Sequence, residues 1–441
     1  MTSSAPSPPT TEAQRGSLLV IFLTVFIDLL GFGMVLPLLP LYAKQFGLEK
    51  HGWQIGMLMA CFSLMQFIFA PLWGRLSDRL GRRPVLVVGL AGSVIFYGLF
   101  GVATMLQSLP LLFLTRIGAG IAGATISTAQ AYIADTTTPQ TRAKGMALIG
   151  ASFGLGFTFG PLLAWAALLS SSGSDLDHQA VVCSPWPGFV ASALSAVALL
   201  LAIFKLPESL RPGNSKTELG VFDRQALANA LSTPTILPLL ITSFISVVAF
   251  GGYETTIALL LEDKPSKGGF GLTIQQVPLF FAYIGLTLSL VQGGIVRRLS
   301  GKVSEMRLAT IGGGLTMLGF ALLAWSTTSH HFTGVMIASA IEVAGFSFMT
   351  PSLQSLISRR SDPQKQGSIL GVSQGVSALA RICGPLLAVP LFTIVSHTSP
   401  YYASIGLMVL GILMLLLAAS GGRDYGTAAG EMTKPESRRP E

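Results

Sequence analysis

Residues 74–86 read GRLSDRLGRRPVL, a run with one acid and four arginines. The segments on either side, 53–73 and 84–106, are apolar and contain no charged residue. Each is long enough to cross a hydrocarbon layer about 30 Å thick as a helix. A dense charge cluster between two such segments is typical of a short turn joining two membrane-spanning helices.

The composition extends this interpretation to the whole chain. Of 441 residues, 51% are hydrophobic and only 11% are charged, about half the charge of a soluble domain. A soluble protein of this size would need a charged shell, so we predict an all-α membrane protein with twelve transmembrane helices. The predicted spans are 17–43, 53–73, 84–106, 109–133, 144–169, 186–206, 234–261, 273–295, 307–327, 333–357, 367–392 and 400–420.

The basic residues indicate the orientation in the membrane. With a cytoplasmic N-terminus, 22 of the 28 Lys and Arg fall in inside segments. This bias is the positive-inside pattern and places both termini in the cytoplasm. The net charge of +8 is therefore a topology signal, and we predict no nucleic-acid partner. The lipid bilayer is the expected environment, with the plasma (inner) membrane as the predicted location.

The chain nearly repeats itself. The segment TPQTRAKGMALIGASFGLGFTFGPLLA (138–164) resembles DPQKQGSILGVSQGVSALARICGPLLA (362–388), at an offset of 224 residues. We predict two pseudo-symmetric six-helix bundles that meet at a midplane cavity, as in many secondary transporters. The predicted parts are a disordered N-terminus (1–16), a first bundle (17–206), a cytoplasmic linker (207–233), a second bundle (234–420) and a disordered tail (421–441).

Several motifs carry a family resemblance. The stretch 74–83 resembles the loop signature of the major facilitator superfamily, and DLLGFGMVLPLLP (28–40) resembles the first-helix motif of its drug/proton antiporters. RIGAGIAGA (116–124) and GLGFTFGPLLA (154–164) are similar to their fourth- and fifth-helix motifs. The likeness is strongest to tetracycline exporters, and it implies proton-coupled drug efflux. Those proteins carry an acid before the third-helix tyrosine and another in the ninth helix; here the dipeptide is Phe96-Tyr97, and 307–327 has no acid.

The charge cluster itself suggests a conformational latch. Gly74 and Gly81 would let the turn pass close to a neighbouring helix. Asp78 would meet the positive N-terminal end of an adjacent helix, which the resemblance identifies as the eleventh, and Arg82 would pair with Asp135. The alternative is that the arginines only hold the turn on the inside.

Five ionisable residues lie within predicted spans, where charge is costly and normally functional. Asp28 is the predicted proton carrier, and Arg116 would set its proton affinity or couple it to substrate. The alternative is a static Asp28–Arg116 bridge that only orders the helices. Glu254, Glu342 and Arg381 are candidates for binding substrate or proton, with structural roles left open.

Other polar and small residues are candidates for lining the cavity or packing the helices. The cavity candidates are Gln66, Gln130, Gln292 and Gln374. The residues expected to allow close helix packing or bending are Gly156, Gly160, Pro161, Gly384 and Pro385.

No nucleotide-binding loop, metal-spaced Cys/His cluster or nucleophile elbow occurs in the sequence, which argues against an enzyme. We therefore predict a secondary transporter, acting as a monomer without a cofactor and driven by a proton gradient. The function that the sequence favours most is antiport of small amphipathic molecules against protons. The alternatives are uptake or exchange of an organic anion by the same fold, and a non-transporting membrane receptor.

Overall fold

The chain forms helices throughout the part that the computed structural model describes. The described residues are 11–48, 52–137, 139–169, 183–210, 235–361 and 366–421. Among them we find no strand, only an isolated bridge between Ser300 and Val303. The predicted tails and most of the predicted linker lie outside these ranges, although the first helix begins at Thr11, inside the segment predicted to be a disordered N-terminus.

Twelve spans within the described residues are long and apolar enough to cross a membrane, as predicted. The first six spans are built from the helices Thr11–Val35 with Leu39–Gln45, Gly52–Leu80, Arg82–Met105, Leu109–Gly123 with Ile126–Thr136, Pro139–Leu169 and Trp186–Lys205. The last six are built from Ile236–Glu262, Gln276–Leu290 with Arg297–Leu299, Glu305–Thr328, Phe332–Arg360, Gln366–Pro390 and Ser399–Gly421.

Four spans are irregular. The first is interrupted before Leu39, next to Pro37, which has no backbone N–H to donate. The fourth is interrupted at Ala124 and Thr125. The eighth passes through a π-helical segment, Val291–Val296, and the eleventh ends in another, Leu391–Val395. π-Helical turns inside helices frequently occur at functional sites.

The charged motif is mostly helical, which differs from the predicted turn. The second span continues to Leu80, and Gly81 alone separates it from the helix that begins at Arg82. Gly81 has a backbone φ of 104°, which glycine adopts without the steric cost that a Cβ imposes. The two spans are thus joined by a single residue.

Contacts divide the chain into two compact units. The first unit comprises residues 1–218, 261–264 and 271–289, and the second comprises 219–260, 265–270 and 290–441. In the first unit, Leu29, Leu86 and Tyr132 belong to a buried cluster that joins the first, third and fourth spans. In the second unit, the ninth and tenth spans pack closely along their length.

Candidate functional site

Asp28 lies in the first span among neutral hydroxyl groups. Ser195, in the sixth span, donates a hydrogen bond from Oγ to Oδ1 of Asp28 at 3.2 Å. Ser93, in the third span, is a second hydrogen-bonding neighbour of the same carboxyl group. Asp28 as a whole residue is partly exposed. Three helices of the first unit therefore converge on the predicted proton carrier.

Asp28 and Arg116 do not pair directly. Both are described residues, and neither is an electrostatic partner of the other. Tyr97, buried in the third span with 4% of its surface exposed, lies within electrostatic range of both. The static Asp28–Arg116 bridge considered as an alternative is absent from this structure. Tyr97 is instead the buried side chain that neighbours both residues.

Arg116 is a buried cation with unused donors. Only 3% of the residue is exposed, and its Nε and Nη2 have no hydrogen-bond partner in the described part of the chain. The guanidinium carbon lies 5.0 Å from the centre of the Phe62 ring, a cation–π distance. An aromatic face compensates only part of the lost hydration of a buried charge. Arg116 is thus able to accept an anionic partner.

Phe96 shapes the neighbourhood of Arg116. A Cβ built on Gly118 would lie 2.1 Å from Cε1 of Phe96, so the phenyl ring occupies the space that any larger residue at 118 would need. In the tetracycline exporters an acid stands where this chain has Phe96. The third span therefore presents an apolar ring beside the arginine helix.

The interruption of the fourth span is held by side chains of the second. Trp73 donates from Nε1 to the carbonyl oxygen of Ile121 at 2.7 Å, and Gln66 donates from Nε2 to that of Gly123 at 3.3 Å. These carbonyls lack their usual helical partners because the helix ends at Gly123. Gln66, a cavity candidate by sequence, thus serves here as a hydrogen-bond donor to the broken helix.

The predicted ion pair between Arg82 and Asp135 is present. Arg82 Nε lies 3.0 Å from Oδ2 of Asp135, and its Nη1 lies 2.6 Å from Oδ1 of Asp78. Nη1 also donates to Ser77 Oγ at 2.6 Å. Asp78 therefore pairs within its own motif. The other expected partner of Asp78, the start of the eleventh helix, adjoins residues 362–365, outside the described ranges.

Glu208 completes this cluster and was missed by sequence analysis. Its carboxylate accepts hydrogen bonds from the backbone N–H groups of Arg82, at 2.9 Å, and Arg83, at 3.1 Å. It thus binds the positive end of the third span's helix. A Cβ on Gly81 would lie 2.5 Å from Oε2 of Glu208, so the predicted close approach occurs at Gly81. Nothing in the local sequence around Glu208 indicated a partner more than a hundred residues away.

Gly74 lies inside the helix of the second span, and a Cβ added there would meet no atom of the described residues within 4 Å. The helix expected to approach it begins next to residues 362–365, outside the described ranges. The second span continues past it because no helix-breaking residue occurs before Gly81.

The predicted packing glycines lie at close helix contacts. A Cβ on Gly156 would be 3.0 Å from Cβ of Leu29, and one on Gly160 would be 2.8 Å from Cα of Gly33. The first and fifth spans thus approach backbone to backbone. Pro161 follows within an uninterrupted helix.

The second unit has the corresponding contact between its seventh and eleventh spans. A Cβ on Gly384 would lie 2.7 Å from the carbonyl oxygen of Val248. Pro385 follows it inside the helix. The repeat seen in the sequence therefore corresponds to the same kind of helix contact in each unit.

Glu342 is the most deeply buried acid of the candidate set. Its exposure is 0%, and both carboxyl oxygens have no hydrogen-bond partner. Tyr253 of the seventh span lies within electrostatic range of it. Backbone contact with the ninth span is tight, since a Cβ on Gly319 would be 2.7 Å from Cα of Glu342.

Glu254 and Arg381 form an electrostatic pair in the second unit. Glu254 is partly exposed and Arg381 is exposed. Glu254 also lies within electrostatic range of Glu342. The structure therefore brings together the three ionisable candidates of the second half.

The remaining glutamine candidates differ in exposure. Gln130 and Gln292 are partly exposed, and Gln374 is exposed. Gln292 lies in the π-helical segment of the eighth span.

A further charge cluster was not predicted. Lys44, at the end of the first span, pairs with Glu262 and with Asp263, the latter at 2.6 Å. By sequence, Lys44 lies just beyond the predicted first span, 17–43. Its partners are more than two hundred residues away, and no local pattern indicates them.

Comparisons with known proteins agree with this geometry. The chain is 30% identical over 396 residues to the class B tetracycline resistance protein of Escherichia coli, covering 88% of this chain and 92% of that protein. It is 28% identical to mouse major facilitator superfamily domain-containing protein 10, covering 94% and 95%. The crystal structure of the human organic anion transporter MFSD10 (TETRAN) matches with a TM-score of 0.67 and 25% identity, covering 93% of this chain and 100% of that one.

The family model agrees with these relatives. The model of the Major Facilitator Superfamily matches residues 21–385, which include all of the candidate residues. The relatives are transporters, so the chain is a multi-pass membrane transporter and not an enzyme. The chain belongs to the Major Facilitator Superfamily.

Proposed function

We propose that this protein is a proton-coupled antiporter that exports small amphipathic molecules, with Asp28 as the proton carrier. The observation that supports the proposal is the setting of Asp28, which has the hydroxyls of Ser195 and Ser93 as partners and no cation. A hydroxyl donates to a carboxylate and accepts from a carboxylic acid. The same site therefore suits the charged and the neutral form.

Arg116 supplies the coupling in this proposal. Its unused Nε and Nη2 donors favour a nearby anion, and the charged form of Asp28 is available within the same unit. In this proposal a substrate that engages the guanidinium acts on Asp28 through Tyr97, the buried side chain that neighbours both. Substrate binding and proton release are thereby linked.

A second candidate function is exchange of organic anions. The specific observation that favours it is the buried guanidinium of Arg116 with donors to spare, together with the exposed Arg381. The human relative of known structure is described as an organic anion transporter. In this alternative Arg116 binds a carboxylate or sulfonate of the substrate, and Asp28 need not change its protonation.

The test uses purified full-length protein in liposomes with an imposed pH gradient. Three probes of different charge are offered: ethidium, tetracycline and radiolabelled toluenesulfonate. We expect pH-driven accumulation of ethidium or tetracycline, accompanied by counterflow of protons. Accumulation of toluenesulfonate alone, without proton movement, would favour anion exchange instead.

The variant Asp28→Asn isolates the proton carrier. We expect it to lose pH-driven accumulation while retaining exchange of labelled for unlabelled probe, which needs no net proton movement. Glu305→Gln is the matched control, because it makes the same carboxyl-to-amide change at a surface ion pair with Arg359. Undiminished pH-driven accumulation by Asp28→Asn contradicts the proposal.

A further inference from the structure

The second unit encloses an acid that the proposed cycle of Asp28 does not use. Glu342 is 0% exposed, and neither carboxyl oxygen has a hydrogen-bond partner among the described residues. An unpaired buried carboxylate is strongly penalised because it has lost its hydration. A neutral carboxylic acid without partners is penalised much less. The site as built therefore holds Glu342 in its protonated form.

Hydroxyl groups lie near this acid. Tyr253 of the seventh span lies within electrostatic range of Glu342 and has Ser339 and Tyr401 as its own neighbours. Thr316 lies on the ninth span, which meets the backbone of Glu342 at Gly319. Hydroxyls serve as donors or acceptors, so a small rotation adapts them to either form of the carboxyl group.

Within the described ranges, no cation is an electrostatic partner of Glu342. The charged group within its range is Glu254, on the seventh span. A structural ion pair would need an Arg, Lys or His at this position. The surroundings thus fit a proton-binding group better than a structural salt bridge.

Two ionisable residues near this acid are more exposed than it is. Glu254 is partly exposed and lies within electrostatic range of Glu342 and of Arg381. Arg381 is exposed although it lies within the eleventh span. Charged side chains within membrane spans face protein or water rather than lipid. The exposed side of Arg381 is therefore a side that water reaches.

We propose that Glu342 is a second proton-binding site, which exchanges its proton with water through Glu254 beside Arg381. A hydronium ion protonates a carboxylate oxygen of Glu254. That O–H bond then breaks as an O–H bond forms on Glu342, which leaves Glu254 again charged beside the Arg381 guanidinium. Release follows the reverse order. The inference rests on the proposed antiport. It adds a second proton to each transport cycle.

Infrared difference spectroscopy of the full-length protein in lipid tests the site without any substrate. In an Asp28→Asn background, which removes the band of the proposed proton carrier, the protein should still show the carbonyl band of a protonated, buried carboxyl group, and adding Glu342→Gln should remove it. Transfer to D2O should shift this band as the proton exchanges, and adding Glu254→Gln should slow that shift several-fold. Glu305→Gln in the same background is the control and should leave band and exchange unchanged. A band of undiminished intensity after Glu342→Gln, or one that never shifts in D2O, overturns the proposal.

Transport measurements separate this inference from the proposed function. With the probe that the wild type transports, Glu342→Gln should halve the number of protons moved per probe molecule, whereas Asp28→Asn should abolish coupled flux. If Asp28→Asn behaves so and Glu342→Gln keeps the wild-type ratio, the second site is refuted and the antiport stands. If the wild type moves no protons with any probe, the antiport is refuted, and a normal infrared result then leaves Glu342 a proton site without a role in coupling.

Discussion

The contact between the first and fifth spans gives a prediction whose magnitude follows from the structure. In Gly160→Ala the new Cβ would lie 2.8 Å from Cα and C of Gly33 and 2.9 Å from the carbonyl oxygen of Leu30. These are backbone atoms, so the two helices must move apart. Gly150→Ala is the matched control, because it lies in the same helix and meets no atom within 4 Å.

The two substitutions share one effect and differ in another. Alanine is favoured over glycine in a helix by about 1 kcal/mol, and this gain is common to both variants. Overpacking costs about 1–3 kcal/mol and applies only to Gly160→Ala. We therefore expect Gly160→Ala to be less stable than Gly150→Ala by about 1–3 kcal/mol.

Unfolding by sodium dodecyl sulfate in mixed micelles, followed by circular dichroism, measures this difference. Gly150→Ala should unfold at or above the wild-type detergent fraction, and Gly160→Ala clearly below that of Gly150→Ala. Equal midpoints for the two variants would refute the inference that these spans are held at backbone contact.

Three further predictions follow from other contacts. Burial raises the pKa of the Cys183 thiol to about 12, so in a Cys61→Ala, Cys383→Ala background iodoacetamide at pH 8 should alkylate the folded protein far more slowly than the unfolded one. The pKa of this thiol in the folded protein lies above its unfolded value of about 8.5. The stability that Cys183 contributes is therefore complete below about pH 8.5 and is lost as the pH rises toward 12. Rapid labelling of the folded protein would contradict the burial of Cys183. Glu208→Gln removes the charge that binds the N–H groups of Arg82 and Arg83 and should lower the unfolding free energy by about 0.3–1 kcal/mol, an effect that should shrink in high salt; a salt-independent loss would contradict the helix-end interaction. Gly118→Ala should be destabilising until Phe96→Ala removes the ring that fills its site, giving a coupling energy of about 0.5–3 kcal/mol in a double-mutant cycle; additive effects would contradict the contact.

The spans could be predicted from sequence because they depend on local composition. An apolar segment without charge must satisfy its backbone hydrogen bonds internally, and a helix does so residue by residue. All twelve predicted spans are therefore found, with ends shifted by a few residues. The largest shift is in the second span, where polar residues up to Leu80 continue the helix. Polarity marks the end of the hydrocarbon layer, not the end of the helix.

Only the charged residues of the site could be predicted from the sequence. Asp28, Arg116 and Glu342 attract attention because charge is rare in membrane spans, but their partners are hydroxyls and aromatic rings that occur throughout the chain. Ser195 is separated from Asp28 by 167 residues. Side-chain bonds to backbone carbonyls, such as that of Trp73 to Ile121, leave no sequence pattern. Such contacts depend on how helices pack, which local sequence does not specify.

The interruption at Ala124 and Thr125 divides the fourth span into two helical segments that can tilt relative to each other. Arg116 lies eight residues before Ala124, or about 12 Å along the axis, and Asp135 lies ten residues after Thr125, or about 15 Å. A swing of about 10° at the interruption would displace Arg116 by about 2 Å and Asp135 by about 3 Å, more than a hydrogen bond tolerates. Bending at the interruption would thus allow a change at the Arg116 guanidinium to alter the ion pair between Arg82 and Asp135 without unwinding either helical segment.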